Sequence, residues 1–591
     1  MVTVRFPNQN CSVEVPEGTS ILAAEIAARL QPDAPCGGNG SCGKCRVRIL
    51  REDGSCETVL ACQTGVFRDL SVFPLRDEKH RILTEGTAGV FELCPMVRAL
   101  SLQVDQADLS DPSSEWTRLS RAVLSEGGPM LRPDPFLADG LQKKLQALSY
   151  APKAVLYRDE LLDLKDQGRI LSAAVDIGTT TIVLYLADAE TGAVLGTESC
   201  LNPQTAFGAD VISRANYAMT HSVTELRDAV RTAVGNLIRS ALSALGLSER
   251  DLYAVTVVGN TCMHHLFLGI DPESLVLSPY VPQITDPLVL DAAGFGLPGN
   301  PRAKLFLLPC IAGFVGADSV SVMLSCGFDR PGPLRLAVDI GTNGELMLTD
   351  GQRIAACSTA AGPAFEGAKI TFGMRGSDGA IDHFSLENGE LRCSVLGEKK
   401  PRGICGSGLL DLTALLLKAG VLDETGRFSD PEDLPDEFSA LKPRLRTIDG
   451  QHAFVITEAP EGADRACIYL SQKDVREIQL AKAAMAAGIS LMLQHFGRKA
   501  SDIEKVLLAG AFGNYMSPES ACAIGLIPAE LLSKTEPVGN AAGSGALSCA
   551  LSGEAFRRAS EIASRTEFIE LAANPDFQDC FVDELEFPAL Q

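Results

Sequence analysis

The sequence predicts a multidomain α/β protein in which two small units precede a long, internally duplicated α/β body. Three observations predict it. The first sixty or so residues alternate short strands with one apolar helix and a glycine-rich loop carrying cysteines. The tetrapeptide Asp-Ile-Gly-Thr occurs twice, starting at Asp176 and at Asp339, each time closing an apolar strand and opening another. The stretch Lys505 to Asn514 has the pattern of a buried strand ending in small residues, among them Gly510, Ala511 and Gly513.

Composition narrows the class. A chain of 591 residues with 46% hydrophobic residues can fill several cores, and its length predicts about four domains. The net charge of −23 argues against nucleic-acid binding, which needs clustered Lys and Arg. Eighteen cysteines are too sparse for a disulfide scaffold; most sit singly on apolar stretches, as reduced thiols do. The N-terminal residues MVTVRFPNQ begin a strand at once, with no signal-peptide core. The apolar run 305–328 is broken by Pro309, Gly313, Gly316 and Asp318, so a strand, a turn and a helix are expected there, not a membrane span. A cytoplasmic location is expected.

Residues 1–75 form the first unit. Val2–Phe6 and Cys11–Val15 are predicted strands around a Pro7–Asn10 turn, Ser20 caps a helix over Ile21–Leu30, and strands follow at Cys45–Leu50 and Thr58–Cys62. Cys36, Cys42, Cys45 and Cys62 are spaced C-x5-C-x2-C-x16-C. Three thiolates on one loop and a fourth from a nearby strand suit a [2Fe–2S] cluster. Gly37, Gly38, Gly40 and Gly43 let the loop curl around it. Zinc is the alternative, but it usually takes two C-x2-C pairs and only one is present. The first gap is one longer than in plant-type ferredoxins, as in adrenodoxin-like ones, and the element order is that of a β-grasp ferredoxin. Cys56 competes with Cys62 as fourth ligand, although Asp53-Gly54-Ser55 before it suggests an exposed turn. Residues 76–97 form a linker, and 98–165 a small α/β middle domain with no catalytic constellation.

The body spans 170–591. Its two Asp-Ile-Gly-Thr turns lie 163 residues apart. Each can approach an oligophosphate, because glycine removes the Cβ that would block it and backbone N–H and hydroxyl groups donate to phosphate oxygens. Gly178, Thr179, Thr180 and Thr181 supply the first turn; Gly341, Thr342, Asn343, Gly344 and Glu345 supply the second. Asp176 and Asp339 are expected to act on Mg²⁺ through water. The small residues Gly510, Ala511 and Gly513 would let adenosine lie against backbone. On the preceding helix, Gln479 and Lys482 share a face, and Lys482 either reaches a ribose or phosphate or is a solvated surface lysine. Gly406 and Ser407 open an apolar helix and either bind phosphate or base, or serve packing. Asp318 is a further metal or water orienter, or a helix cap. Asp210 is a helix cap or first-turn acid, and Glu366 faces the cleft. Cys262, His264 and His265 suggest a metal site, yet such a cluster on a strand–helix junction is more often packing.

With these motifs in place, residues 170–591 resemble the actin-like (ribonuclease H-like) ATPase superfamily, which includes acetate and sugar kinases. With Cys36, Cys42, Cys45 and Cys62 ahead of that body, the whole chain resembles the reductive activators of corrinoid proteins. GNTCMHHLFLG (259–269), PCIAGFVGAD (309–318) and GPAFEGAKI (362–370) add to the likeness. The resemblance implies ATP, Mg²⁺ and a [2Fe–2S] cluster as cofactors. It implies a corrinoid protein as partner, fed by a low-potential electron donor, and a homodimer in some relatives. The implied task is one-electron reduction of Co(II) to Co(I), driven by ATP. Three other readings stand at this point: a small-molecule kinase with a redox-sensing domain, an activator of a radical dehydratase, and a scaffold that binds nucleotide without turnover.

Overall fold

The structure is a computed structural model. It describes residues 1–591 except positions 10, 29, 31, 33, 35–37, 39, 41–44, 51–55, 75–90, 342, 363, 368, 388, 459–466 and 590–591, and only the backbone at 8, 74, 398, 511, 512 and 514. Cys36, Cys42, Gly37, Gly43, Thr342 and most of the expected linker therefore lie outside the described residues.

The N-terminal unit is one mixed sheet. Its strand order is Cys11–Val15, Val2–Phe6, Leu70–Pro74, Arg46–Leu50, Cys56–Leu60. Val2–Phe6 pairs antiparallel with Cys11–Val15 and parallel with Leu70–Pro74. Helix Ile21–Ala27 lies on this sheet, with Ser20 accepting from the Ala23 N–H at 3.1 Å as its N-cap. It is shorter than the expected Ile21–Leu30. The last hairpin strand also sits earlier than expected: it begins at Cys56, and Cys62 falls in the turn after it. Ile26 packs in the core of this unit and also against the first core of the body.

The middle segment forms a three-stranded sheet, Val97–Ser101, Lys153–Tyr157 and Glu160–Lys165, covered by helices Glu115–Ser125 and Leu141–Ala147. Ahead of it, Cys94 is stitched to the body. Its N–H donates to Leu551 O at 3.1 Å and its carbonyl accepts from Gly553 N–H at 2.7 Å.

The body has two lobes built to one plan. In the first, Leu171–Ile177 pairs antiparallel with Thr181–Asp188 and parallel with Leu252–Gly259. In the second, Arg335–Ile340 pairs antiparallel with Gly344–Thr349 and parallel with Lys505–Ala509. These are the two Asp-Ile-Gly-Thr repeats, so the repeated tetrapeptide marks a repeated hairpin. The strand, turn and helix expected over 305–328 appear as Lys304–Leu307 and Ala317–Ser325. Among the described residues no helix is long and apolar enough to cross a membrane.

Helices Ala317–Ser325 and Ala541–Leu551 pack on each other between the sheets, inside a core that draws side chains from both lobes. Their approach is close: a Cβ on Gly545 would lie 2.2 Å from Ser321 O. Ser321 Oγ also donates to Ala542 O.

Two candidate sites prove to be structural. Gln479 and Lys482 are fully buried on helix Gln472–Phe496, away from the cleft between the lobes. Gln479 Nε2 donates to Leu585 O at 2.9 Å, Lys482 Nζ donates to Glu586 O, and Phe587 lies under the ammonium. These residues anchor the C-terminal segment. The expectation that they contact nucleotide is corrected, because their polar atoms are taken by main-chain carbonyls more than one hundred residues away in sequence.

The cluster at 262–265 packs as a core element, the packing alternative weighed for it. His265 is fixed in one tautomer, donating from Nδ1 to Thr261 O at 2.8 Å and accepting the Gln283 N–H on Nε2 at 3.0 Å. Burial pushes the Cys262 thiol up to about 12. His264 is buried with neither ring nitrogen partnered, and burial pushes its pKa down to about 3.

That histidine dictates an acid response. Its folded pKa lies below the unfolded value of 6.5, so between those values the unfolded chain binds the extra proton, and stability is lost as pH falls below 6.5. From pH 7 to pH 5 this group should cost about 2 kcal/mol. Replacement His264→Leu should remove that part of the slope in chemical denaturation at the two pH values. A variant with the parent's full acid slope would count against the assignment.

Candidate nucleotide cleft and cluster site

The two lobes enclose a cleft of about 260 Å³. One wall carries Asp176 and the turn Gly178–Thr181 from the first lobe. The facing wall carries Asp339, Gly341, Asn343 and Glu345 from the second, and Asp318 lies between. Gly406 and Ser407, at the start of helix Gly406–Lys418, and Gly510 complete it. Gly344 and Gly513 do not line this wall: a Cβ on Gly344 would meet Met485 Sδ at 1.9 Å, so it is a packing glycine. The Ala511 side chain lies outside the described residues.

The hairpin register explains the arrangement. Asp339 pairs directly across from Glu345, which puts two carboxylates on one face of the same turn. Gly510 closes against them: its φ is +83°, and a Cβ there would lie 2.4 Å from Asp339 Oδ1. The strand-to-glycine signal at 505–513 thus marks a contact between the second phosphate turn and the adjoining loop.

Six described carboxylates line this cleft, Asp176, Asp318, Asp339, Glu345, Glu366 and Asp382, and the first four have raised pKa values. Burial, then Asp318 and Asp339, push Asp176 up to about 7. Burial and Asp318 push Asp339 up to about 7, burial pushes Asp318 up to about 6, and Glu345 is raised well above its ordinary range by burial and both aspartates. Asp318 is in the first turn of helix Ala317–Ser325, whose N-cap is Gly316; its Oδ1 accepts from the N–H and the hydroxyl of Ser319 next to it. It is therefore no N-cap, and it lines the cleft. Among the described residues no three His, Cys, Asp or Glu side chains group tightly enough to hold a metal alone. A cation here needs water or ligand oxygens to complete its shell.

The first turn is braced by residues that the sequence pattern did not single out. Asn202 Nδ2 donates to Gly178 O at 2.8 Å, and the Asn202 N–H to Thr180 O at 2.8 Å. Arg214 donates to Thr179 O. Asn260, the N-cap of helix Thr261–Leu268, donates to Thr179 Oγ1 at 2.9 Å. Asp210 is the expected helix cap, in a capping box with Ser213. Thr180 Oγ1 reaches across the cleft to Glu366 Oε1 at 3.1 Å, confirming that Glu366 faces the cleft. Only the asparagines following the strands Val194–Leu201 and Leu252–Gly259 offered a signal, as turn residues after buried strands.

The cysteine site can be tested on Cys45 and Cys62. Their sulfurs lie 3.2 Å apart, well beyond the 2.05 Å of a disulfide, with Cys45 buried and Cys62 half-buried. Gly38 and Gly40, with φ of +89° and +75°, pass over Cys62 and Gln63. Two converging thiols under a left-handed glycine loop fit a metal–sulfur cluster. Cys56 does not fit: it pairs with Leu50 at the far end of the hairpin whose near end is Arg46 opposite Leu60.

Comparison with known proteins finds an iron–sulfur unit followed by regions whose bounds differ from the expected ones. Residues 6–66 match the 2Fe-2S iron-sulfur cluster binding domain. Residues 86–169, 171–331 and 333–591 match the RACo linker region, the RACo middle region and the C-terminal ASKHA domain of RACo. The corrinoid activation enzyme RamQ of Eubacterium limosum is 33% identical, over 98% of each chain. The [Co(II) methylated amine-specific corrinoid protein] reductase of Methanosarcina barkeri is 26% identical over 60% of this chain and 65% of its own. A solved structure of a reductive activator for a corrinoid, iron-sulfur protein is 32% identical, covers 100% of this chain and 98% of its own, and superposes with a TM-score of 0.75. These matches run along nearly the whole chain, and the chain belongs to the family of reductive activators of corrinoid proteins.

Proposed function

We propose that this protein uses ATP to drive one electron from its [2Fe–2S] cluster onto the Co(II) of a corrinoid protein, restoring the Co(I) needed for methyl transfer. The observation that carries the reading is one chain holding both a converging cysteine pair under a glycine loop and a two-lobed cleft of paired Asp-Ile-Gly-Thr turns. The names of the full-length relatives point to the same partner.

Energetics explain why both parts are needed. Plant-type [2Fe–2S] centres sit near roughly −400 mV, and an uphill electron costs about 2.3 kcal/mol per 100 mV. Nucleotide assists only if the two states of the clamp bind the corrinoid partner differently. In the proposal, the closed clamp grips that protein and brings its cobalt within the cluster's reach.

Within the cleft, Thr179, Thr180 and Asn343 hold phosphates, together with the turn amides of both repeats. Asp176 and Asp339 orient the attacking water and Mg²⁺-bound waters, with Asp318 and Glu345 behind them. Mg²⁺, when bound with ATP, supplies the charge that these raised carboxyls lack and lets them ionise. Gly406 and Ser407 present a helix N-terminus to the nucleotide. Glu366 yields Thr180 when a phosphate takes its hydroxyl. Cys36, Cys42, Cys45 and Cys62 hold the cluster, which supplies the single electron. A low-potential donor recharges it.

Two experiments bear on this. Anaerobic mixing with a reductant and a cognate Co(II) corrinoid protein should give the Co(I) absorption only when MgATP is present, and Cys45→Ser should abolish it while leaving ATP hydrolysis intact. Equal Co(I) formation without nucleotide would sink the coupling. Gly510→Ala, which drives a methyl into Asp339, should cut ATP turnover on the order of tenfold or more with the cluster spectrum unchanged. Wild-type turnover in that variant would remove Asp339 from the chemistry.

A further inference from the structure

The three carbonyls of the turn Gly178–Thr180 are all engaged. Gly178 O and Thr180 O are taken by Asn202, and Thr179 O by Arg214. The turn so fixed lines the cleft.

Arg214 is unusual among the groups behind that turn. It lies on helix Val211–Thr220 and is wholly buried, with no exposed surface. Its guanidinium donates from Nε to Gly208 O at 2.9 Å, from Nη2 to Thr179 O, and from Nη1 to Met263 Sδ at 3.2 Å. Five N–H donors therefore meet two carbonyls and one thioether. Among the described residues no carboxylate forms an ion pair with it, although Asp210 and Glu366 act on it at longer range. Burial pushes its pKa down to about 10, so it remains charged at neutral pH.

A charge so placed is costly without a partner of opposite sign. Carbonyl bridging alone would not require it, since Asn202 performs the same bridging with a neutral amide. Asp210 and Glu366 offset part of that charge, and an anion in the cleft lined by Thr179 would offset more of it. Arg375 lies on the other side of that cleft and contributes positive charge from the second lobe.

We propose that Arg214 is a positioning residue for nucleotide. Its guanidinium fixes the Thr179 peptide from behind and supplies a buried positive field that favours ligands carrying more phosphate charge. This rests on the cleft being the ATP site. The field acts through low-dielectric protein, so its effect should scale with ligand charge, unlike that of a residue that merely supports the fold.

The test is calorimetric affinity for ATP, ADP and AMP on the cluster-loaded protein. The wild type should bind them in that order. Arg214→Gln, which keeps a donor for Thr179 O but loses the charge, and Arg214→Met should weaken ATP on the order of tenfold or more, ADP less and AMP least, flattening the series. Arg214→Lys should keep the slope of the series and lose turnover, because the charge stays while the forked donors go. Arg214→Gln and Arg214→Lys keep the proposal testable should the methionine variant fail to fold. Equal weakening of all three nucleotides in Arg214→Gln, or none, overturns the proposal while leaving the ATP site intact. A wild type that binds no nucleotide overturns the ATP reading itself.

Discussion

Four half-buried carboxylates with raised pKa values in one cleft are the constraint on which the rest depends. Asp176 comes from the first lobe, Asp339 and Glu345 from the second, and Asp318 from a helix packed between them. Removal from water raises all four carboxyls, and Asp318 and Asp339 add to the rise at their neighbours. In an unliganded cleft the lobes gain nothing electrostatically by closing. A cation with a polyphosphate reverses that sign, because it gives each acid a positive neighbour and the turns an anion. Closure is thereby made conditional on ligand, which a nucleotide-driven switch requires.

Between the lobes lie two helices in close backbone contact. Gly545 against Ser321 leaves no room for a side chain, so helices Ala317–Ser325 and Ala541–Leu551 meet as rigid surfaces. The second ends at Ser552, which caps the following helix Gly553–Arg565 through its hydroxyl on the Ala555 N–H. At that corner Cys94 makes its two main-chain hydrogen bonds. The chain arriving from the iron–sulfur unit is therefore attached where the interlobe helix turns. Ile26 gives that unit a second foothold, on the first lobe. A change in lobe angle has two points at which to reach the electron carrier, and both follow from ordinary packing.

Much of this was legible in the sequence because the informative residues are local. The repeated Asp-Ile-Gly-Thr segments dictate their own hairpins, and Gly38 and Gly40 take the positive φ that a curling loop needs. What stayed hidden depends on contacts between distant segments. Gln479 and Lys482 look like surface polar residues at helical spacing, and only the returning C-terminal segment, whose carbonyls they bind, shows why they are buried. Arg214 sits in an amphipathic helix whose period explains an arginine equally well on its solvent face. Asn202 and Asn260 follow strands as turn residues do, and their second role, bracing a turn dozens of residues away, exists only once the first sheet has formed. The Cys62 case is intermediate. Its ligand character follows from spacing, whereas its placement in a turn after the strand follows from the register Arg46 to Leu60.

The difference between the two turns follows from their surroundings. The first is braced from behind by amide and guanidinium donors, so its geometry is set before ligand arrives and its amides need no reorganisation to meet a phosphate. The second is flanked by Glu345 and pressed by Gly510, so it carries more acid beside its donors. In the proposed function both turns meet phosphate oxygen, and the acids beside them, Asp176 and Asp339, meet water and a hydrated cation. An in-line attack on a terminal phosphate needs these two environments on opposite sides of the phosphorus. Duplication supplies two copies of the same hairpin facing each other. The substitutions around each copy, asparagines and an arginine at one, a glutamate at the other, then give each its own surroundings.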